Sequence, residues 1–580
     1  MSIKDQPLLA PDPWPARRAA SLASIATVIT LLVVCFGVFP VSEGPSGLAA
    51  QLAWSFGHPL ILLENVAGIP ADMTAAGPMR PLFNLNAAES KVVFRFAIAF
   101  CLGAGIGFAT YRRVNERQPN RLNATFISGA TYADGLNAKS KTAFLLGSDY
   151  KASGSGIALA PDLRLPRNRE IQSLLVVGRP RYGKSTALRF MLDGILARRG
   201  DKLIVYDSKG DVTADWPGSK VILLAPHDTR SWGWAVGRDV LGEPGAREFA
   251  AALIPVSDRE PNWALGGQEI LIAAIRKLQA TLDTRWSWRE LGELLDLPDQ
   301  ELRRVAHDHH RAALRYLTLD PETHEFDRTA ASYVSTAMAP IQRIVRPLAQ
   351  AWSDLAAEYQ VSLRTWLADE QPAHRTIILQ RAAHLPAVSA AWITAALEVM
   401  ARFCVGPALA DDEDRRLWFV LDEFSTVPKI EGLPDLFAQG PSKGVCVVLA
   451  CQNLELVEDR YGPTVTKSII QNTDVQLLFR LNAGETSTYL TKTAIPKTEI
   501  RRYDRPRPKG PNDAATTPEK SESICLITTH DLATLPRGEA YAVVEGSVVR
   551  LRWPRSTWTQ QREPTIQANW VIDQGTVKLA

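Results

Sequence analysis

The sequence predicts an α/β fold built on a parallel sheet, preceded by two membrane-spanning helices. Three observations support this prediction. Short apolar runs typical of buried strands alternate with helical segments along much of the chain. One of these runs leads through a glycine-rich turn directly into a helix. Two long, almost uncharged segments lie near the N-terminus.

The composition fits a globular protein of several structural units. The chain has 580 residues, of which 46% are hydrophobic and 22% are charged. Its net charge is only +3, which excludes a protein that coats nucleic acid over its whole surface. Any contact with nucleic acid must therefore come from a local patch. Six cysteines in a chain of this length exclude a disulfide scaffold.

The two N-terminal segments are long enough to cross a membrane. Residues 19–42 carry no charge, and residues 92–111 carry only Arg95, near one end. At ~1.5 Å per residue, each segment can cover most or all of a hydrocarbon core about 30 Å thick. The first is too long for a signal-peptide apolar region. We therefore predict transmembrane helices at 19–42 and 92–111; the alternative is two buried helices of a soluble domain.

Basic residues on the flanks predict the orientation of these helices. Arg17 and Arg18 precede the first segment, and four arginines follow the second within ten residues. The intervening loop, residues 43–91, has only two basic residues. The positive-inside rule then places residues 1–18 and everything after residue 111 in the cytoplasm, with the loop on the outer side of the membrane.

The glycine-rich turn has the pattern of a phosphate-binding loop. The apolar run 174–178 ends in the turn Gly-Arg-Pro-Arg-Tyr-Gly-Lys-Ser, and a helical sequence follows. Backbone N–H groups of such a loop bind phosphate, the lysine reaches the β- and γ-phosphates, and the serine hydroxyl binds Mg²⁺. The predicted nucleotide-contacting residues are Gly178, Arg179, Pro180, Arg181, Tyr182, Gly183, Lys184, Ser185 and Thr186.

A second strand supplies the acidic half of this predicted site. The apolar run 417–421 ends in Asp422 and Glu423. We expect Asp422 to hold Mg²⁺ through water and Glu423 to polarise the attacking water. Another predicted strand, 445–450, leads to Gln452, which would lie beside the γ-phosphate. Apolar runs at 202–207 and 221–225 predict further strands of the same sheet.

The spacing between the two halves predicts an inserted domain. Lys184 and Asp422 lie 238 residues apart (422 minus 184), more than a minimal nucleotide-binding core needs. Leucines at helical spacing place an all-α domain at 286–349, between a first part of the nucleotide-binding domain at 112–285 and a second part at 350–580. The histidines of its segment 307–310 suggest either a metal site or, as we prefer, a solvated helix face.

A proline-rich, basic stretch at about 501–520 predicts a flexible insertion in the second part. The stretch could contact phosphates through Tyr503 and the basic cluster Arg501, Arg502, Arg505, Arg507 and Lys509, or it could serve as a solubilising loop. Both interpretations stay open at the level of sequence.

The ordered set of these motifs resembles the type IV secretion coupling proteins, the TraD/TraG-like ATPases of conjugation. The resemblance rests on the phosphate loop together with the motifs at 206–211, 420–424, 442–445, 450–452 and 461–462, and on the two N-terminal spans. It implies a RecA-like, ATP- and Mg²⁺-dependent motor that forms a homo-hexamer at the bacterial inner membrane. The implied partners are single-stranded DNA bound to a relaxase or relaxosome, and the proteins of the type IV secretion channel.

Two other functions use the same kind of ATPase. One is a nucleotide-dependent receptor for protein effectors that does not translocate DNA. The other is a septal-type pump for double-stranded DNA, which usually has more membrane spans and a winged-helix tail.

One position departs from the pattern of the family. The resemblance implies an arginine just before the Ser-Lys-Gly turn, where it would reach the γ-phosphate bound by the neighbouring subunit. This chain has Pro441 there, so Lys443 and Arg480 are the candidate trans-acting cations.

Overall fold

The computed structural model divides the chain into two compact units, residues 1–129 with 498–524 and residues 130–497 with 525–580. The structure describes residues 105–106, 108–109, 124–129, 131–133, 146–161, 163–256, 261–320, 322–323, 325–495, 497–503, 519–544, 546–555 and 558–571. The predicted membrane helices, 19–42 and 92–111, lie almost entirely outside the described residues. In the first unit, β1, β14 and β15 form a three-stranded sheet with β14 in the middle.

The second unit is organised around a ten-stranded sheet. The strands in the described residues of both units are, in order, β1 Ala124–Gly129, β2 Tyr132–Ala133, β3 Ser155–Ala160, β4 Leu163–Pro166, β5 Leu174–Val177, β6 Lys202–Asp207, β7 Ile222–Leu224, β8 Gly233–Trp234, β9 Gln360–Val361, β10 Thr376–Gln380, β11 Leu417–Leu421, β12 Val445–Cys451, β13 Val475–Leu478, β14 Lys497–Tyr503, β15 Glu519–Cys525, β16 Glu539–Val544 and β17 Ser547–Arg552.

Seven neighbouring strands of this sheet run parallel. The order is β2-β17-β16-β13-β5-β12-β11-β6-β10-β7, and every pairing from β13 to β7 is parallel. The hairpin of β16 and β17 continues the sheet in antiparallel fashion beyond β13. The predicted parallel α/β sheet is confirmed. Because the strands are parallel, the loops after β5, β12, β11 and β6 meet at one edge, which we call the carboxyl edge.

Helices cover both faces of the sheet. The α-helices in the described part of the second unit are α1 Gly147–Ser153, α2 Lys184–Leu196, α3 Asp211–Asp215, α4 Gly242–Leu253, α5 Pro261–Leu282, α6 Trp288–Leu295, α7 Asp299–His309, α8 Arg328–Trp352, α9 Leu363–Ala368, α10 Pro386–Val405, α11 Leu433–Gln439, α12 Glu455–Tyr461, α13 Pro463–Gln471, α14 Glu485–Tyr489 and α15 Thr529–Thr534.

Alternate residues of each central strand enter two different cores. In β5, Leu174 and Val176 pack with the apolar side of α2, whereas Leu175 and Val177 face the helices α4–α10. Strands buried on both faces must be apolar throughout, as β5, β11 and β12 are. This two-sided burial explains why continuous apolar runs marked these strands in the sequence.

The helical run between β8 and β9 is longer than the inserted domain predicted at 286–349. Helices α4 and α5 precede that segment, and α8 ends at Trp352. Trp234, Trp288, Trp352 and Trp392 form a chain of ring contacts, with neighbouring centroids 5.5–6.1 Å apart. These indoles join the inserted helices to α10 and to β8, which contains Trp234. The inserted helices therefore share one core with one face of the large sheet. The bounds of a separate domain stay a prediction.

The segment predicted as flexible, 501–520, begins and ends in strands. Residues 501–503 belong to β14, which pairs with β1, and residues 519–520 begin β15. Residues 504–518 lie outside the described part of the chain. The prediction was wrong at both ends because β14 and β15 are polar strands without an apolar run, so their backbone pairing left little trace in the sequence.

Helix α10 is long and apolar enough to span a membrane. In the described part of the chain it is the one helix of which this is true. Most of it is buried inside the protein, where Trp392, Leu397 and Met400 enter the core beside the sheet. Its apolar character is that of a core helix.

Candidate nucleotide-binding site

The predicted phosphate loop connects β5 to α2 at the carboxyl edge of the sheet. Gly183 has φ +114°, which side chains strongly disfavour, and a Cβ added there would lie 3.0 Å from the Cα of Gly538. A Cβ at Gly178 would lie 2.4 Å from the Cβ of Phe479. Both glycines are required by this tight packing. The loop leads into the first turn of α2, and the N-terminus of a helix is suited to binding an anion.

Lys184 is the buried cation of the site. Its Nζ lies 3.3 Å from Glu423 Oε1 and 3.6 Å from Asp422 Oδ1, and its side chain is only 4% exposed. This Nζ is buried and makes no hydrogen bond of good geometry to any described residue. A buried ammonium without hydrogen-bond acceptors is costly. Phosphate oxygens would supply the missing acceptors.

Asp422 and Glu423 follow β11 and face Lys184. Burial raises the pKa of Asp422, and the charge of Lys184 opposes part of that rise. For Glu423, burial also acts to raise the pKa, but Lys184, a hydrogen bond from Gln452 and Lys209 together lower it below the usual value. Glu423 is therefore ionised at neutral pH, as a base that polarises water must be.

The backbone and neighbours of Glu423 fix its carboxylate. Gln452 Nε2 donates a 2.8 Å hydrogen bond to Glu423 Oε2, and Lys209 Nζ lies 3.2 Å from Oε1. Glu423 has φ +52°, an uncommon conformation for a residue with a side chain. The structure thus brings together Lys184, Asp422, Glu423 and Gln452, which the sequence places in three separate motifs.

Asp207, at the end of β6, positions Lys209. Its carboxylate accepts hydrogen bonds from the N–H groups of Gly210 and Thr213 at 2.8 and 2.7 Å, and from the Thr213 hydroxyl. These bonds hold the turn into α3 and explain the carboxylate that ends this strand. Asp207 is thus occupied with the backbone, and Lys209 extends from the same turn to Glu423.

One cleft of about 540 Å³ is lined by Lys184, Asp207, Lys209, Asp422 and Glu423. Ser185 and Thr186, in the first turn of α2, line the same cleft. The hydroxyl of Ser185 and the carboxylate of Asp422 are the oxygen ligands that Mg²⁺ prefers. The lining residues outside the predicted motifs include Arg537, which comes from the loop before β16. A single arginine in a Pro-Arg-Gly turn carries no recognisable motif.

Two of the other phosphate-loop residues, Arg179 and Tyr182, contact each other. The Arg179 guanidinium lies 5.7 Å from the centre of the Tyr182 ring and donates a 2.7 Å hydrogen bond to Asn482. Pro180 and Arg181 line the cleft, and Arg181 has φ +69°.

The two cations that were candidates for a trans-acting role lie in different places. Arg480 stacks on Tyr182 of its own phosphate loop, with its guanidinium carbon 4.8 Å from the ring centre. Lys443 precedes β12 and so lies at the opposite, amino edge of the sheet, one seven-residue strand away. Its Nζ donates to the carbonyl of Leu409 at 2.7 Å and pairs with Asp411 at 2.8 Å.

The fold and the cleft define a phosphate-loop protein whose acidic residues follow β11, a parallel strand separated from β5 by β12. Residues 158–553, more than half of the chain, match the family described as type IV secretion-system coupling protein DNA-binding domain. The chain belongs to this family. The resemblance drawn from the motifs is confirmed by this match.

Similar proteins agree with this assignment. The chain is 22% identical over 392 residues to the coupling protein TraD of Escherichia coli (strain K12), a match that covers 66% of this chain and 52% of TraD. The chain thus spans about half the length of that curated relative. Its fold matches the bacterial conjugative coupling protein TrwBdeltaN70 with a TM-score of 0.63 and 19% identity, covering 77% of this chain and 96% of that one.

A second solved structure is the plasmid coupling protein TrwB in complex with ADP and Mg²⁺. It matches with a TM-score of 0.61 and 20% identity, and the match covers 76% of this chain and 98% of that one. At these identities the likeness supports the fold, which agrees with the predicted α/β architecture.

Proposed function

We propose that the chain is an ATP hydrolase of the bacterial inner membrane that couples single-stranded DNA, bound to a relaxase or relaxosome, to a type IV secretion channel. Membership of the coupling-protein family supports the choice of substrate. The observation that carries the enzymatic part is Lys184, a buried ammonium without a hydrogen-bond acceptor, facing two carboxylates across a cleft. The predicted spans at 19–42 and 92–111 would anchor the chain.

The residues of the cleft fit ATP and Mg²⁺. The phosphate loop and Lys184 would bind the phosphates, and Ser185 and Asp422 would hold the metal ion, directly or through water. When bound, Mg²⁺ supplies charge that stabilises the transferring phosphoryl group. The relative TrwB has been solved with ADP and Mg²⁺, which supports the same ligands here.

Glu423 would act as the base in hydrolysis. Its lowered pKa keeps it ionised, and the hydrogen bond from Gln452 fixes one oxygen, so the other oxygen is available to orient water. In this structure that second oxygen pairs with Lys184 and Lys209. We infer that nucleotide binding draws Lys184 towards the phosphates and releases the oxygen.

Assembly into a homo-hexamer would bring a cation from the neighbouring subunit to the γ-phosphate. Pro441 cannot supply one. Arg480 stacks on its own loop, so it suits a trans-acting role less well than Lys443 does. Lys443 would have to exchange Asp411 for phosphate, and as a point charge it would stabilise the transition state less well than an arginine fork.

The test is ATP hydrolysis by the full chain in detergent or vesicles, with and without single-stranded DNA. We expect single-stranded DNA of any sequence to stimulate hydrolysis. This stimulation should decrease steeply as the salt concentration rises, because counterion release dominates binding to phosphates. Lys184→Ala should abolish hydrolysis under all conditions.

Three results would contradict the proposal. Hydrolysis unaffected by DNA but stimulated by protein cargo would indicate an effector receptor. Stimulation by double-stranded DNA alone would indicate a septal-type pump. Full hydrolysis by Lys184→Ala would remove the assignment of the site itself.

A further inference from the structure

We propose that Arg537 binds the α- and β-phosphates of the nucleotide in its own subunit, from the flank of the phosphate loop opposite to Asp422 and Glu423. The inference rests on the proposed binding of ATP in the cleft. It assigns to Arg537 a role in affinity for the nucleotide, distinct from the role of a trans-acting cation in hydrolysis.

The order of strands in the sheet separates the two flanks. β5, which leads into the phosphate loop, lies between β12 and β13. Glu423 follows β11 and Gln452 follows β12, both on one side of β5, and Lys184 turns towards that side. Arg537 precedes β16, which lies beyond β13 on the other side. Since Lys184 of a phosphate loop reaches the β- and γ-phosphates, the γ end of the cleft is the flank of β11 and β12.

The backbone holds Arg537 against the phosphate loop. The N–H of the next residue, Gly538, donates a 2.9 Å hydrogen bond to the carbonyl of Tyr182. The carbonyl of Gly538 accepts another, at 2.9 Å, from the N–H of Trp553. Gly538 has φ +79°, which suits glycine, and its Cα lies where a Cβ on Gly183 would clash. The position of Arg537 is therefore set by the loop that binds phosphate.

The charge of Arg537 is available to a ligand. Of the other cations lining the cleft, Lys184 and Lys209 face Glu423, and Arg189 pairs with Asp215 at 2.5 Å. The remaining one, Arg181, is an exposed residue of the phosphate loop itself. Arg537 has neither an ion pair nor a side-chain hydrogen bond to the residues that the structure describes, although it lines the cleft. The adjacent carboxylate, Glu539, is occupied by two other arginines, Arg550 and Arg552.

This placement predicts that Arg537 affects the affinity for nucleotide rather than the maximal rate of hydrolysis. ADP and ATP share their α- and β-phosphates, so loss of the guanidinium should weaken both by a similar factor. A charge-assisted hydrogen bond of ordinary strength corresponds to about tenfold or more in the dissociation constant. The maximal rate of hydrolysis should change much less, because the γ end of the cleft is intact.

The experiment measures the affinity of the full chain for a fluorescent ADP and a fluorescent non-hydrolysable ATP analogue, together with kcat and KM for ATP. Arg537→Ala should raise both dissociation constants and KM about tenfold with kcat within about twofold, and Arg537→Lys should recover part of the affinity. Arg552→Ala is the matched control. It removes an arginine that is 70% exposed and near the same turn, and we expect no change in affinity.

The outcomes separate this inference from the proposed function. If Lys184→Ala removes binding while Arg537→Ala leaves both affinities unchanged, the inference is wrong and the site stands. If Arg537→Ala lowers kcat without changing affinity, or weakens the ATP analogue alone, the residue acts at the γ-phosphate and the inference is overturned. If neither Lys184→Ala nor Arg537→Ala changes affinity, the nucleotide site itself is misassigned.

Discussion

Both edges of the parallel sheet hold buried charged side chains, but these side chains are hydrogen-bonded differently at the two edges. At the amino edge, Glu170 is fully buried and accepts hydrogen bonds from Arg198, from Arg416 and from the N–H of Ile157. At the carboxyl edge, Lys184 is equally buried, but it faces its carboxylates at 3.3 and 3.6 Å without a good hydrogen bond. Nearly all hydrogen-bonding groups at the amino edge are therefore paired, whereas the Lys184 ammonium at the carboxyl edge has no hydrogen-bond acceptor.

The hydrogen-bonded network at the amino edge extends over the beginnings of β5, β11 and β6. Trp418 donates a 2.9 Å hydrogen bond to Asp201, which also pairs with Arg198. The ammonium of Lys202 donates to three backbone carbonyls at the end of α9. Almost all of these polar groups are paired, although Arg198 Nε is not. Such an arrangement fixes the ends of strands and leaves little for a ligand to bind.

The comparison shows that burial and charge do not by themselves mark a functional site. The carboxyl edge differs because its cation lacks acceptors, its loop backbone is open to solvent in a cleft, and Glu423 is held in an uncommon backbone conformation. If this difference is correct, substitutions in the cleft at the carboxyl edge should change activity and substitutions at the amino edge should change stability. The predictions below run from the largest expected effect to the smallest.

Glu423→Gln should stop turnover while keeping nucleotide binding. The amide retains the shape and the contact with Gln452, but it cannot polarise water, so kcat should fall by about 10²–10⁴. Steady-state hydrolysis together with nucleotide affinity measures both effects. Glu431→Gln, at an exposed carboxylate eight residues further on, should behave like the parent. Hydrolysis by Glu423→Gln at the parent rate would mean that another group acts as the base.

Glu170→Ala should destabilise the fold by about 3–5 kcal/mol, because it leaves Arg198 and Arg416 without their shared counterion. The free energy of unfolding in urea measures this loss. The matched control is Glu243→Ala, which removes an exposed ion pair with Arg247 and should leave the stability almost unchanged. If both variants lose the same stability, the amino edge does not depend on its buried charges.

His227 provides a second, smaller test at the carboxyl edge, outside the cleft. Burial lowers the pKa of His227 to about 4 from 6.5; Asp228 acts to raise it, and His384 and Arg230 act to lower it. Between these two values the unfolded chain binds more protons than the folded protein, so stability falls as the pH drops from 6.5 to 4. The loss should reach up to about 3 kcal/mol.

His227→Phe keeps a ring beside His384 and removes the titrating group. Urea unfolding between pH 7 and 4 should show a shallower acid loss for this variant than for the parent. Identical pH profiles would mean that other groups account for the acid sensitivity.

The sequence predicted those parts of the fold and site that depend on local patterns. Strands β5, β11 and β12 are buried on both faces, so each appears as an unbroken apolar run, and β6 has an apolar run between Lys202 and Asp207. Lys184, Asp422 and Glu423 follow such strands directly, which is why parallel topology could bring them together. The structure meets that expectation with distances of 3.3 and 3.6 Å.

What could not be predicted depends on contacts between distant segments. β10 inserts between β6 and β7 although it follows them by more than 150 residues, and nothing local to Thr376–Gln380 reveals that position. Arg537 approaches the phosphate loop only because Gly538 bonds to Tyr182. The pairing of Lys443 with Asp411, and the stacking of Arg480 on Tyr182, likewise arise from the folded chain alone.

The most direct test of the central claim compares the two edges in one experiment. Thermal unfolding of the parent, Lys184→Ala and Glu170→Ala is measured with and without ATP and Mg²⁺. A ligand at about 100 times its dissociation constant stabilises the folded state by about 2.7 kcal/mol. We predict that the parent and Glu170→Ala both gain a higher Tm with nucleotide, Glu170→Ala from a lower starting value, whereas Lys184→Ala gains none. A full nucleotide-induced shift in Lys184→Ala would contradict the account.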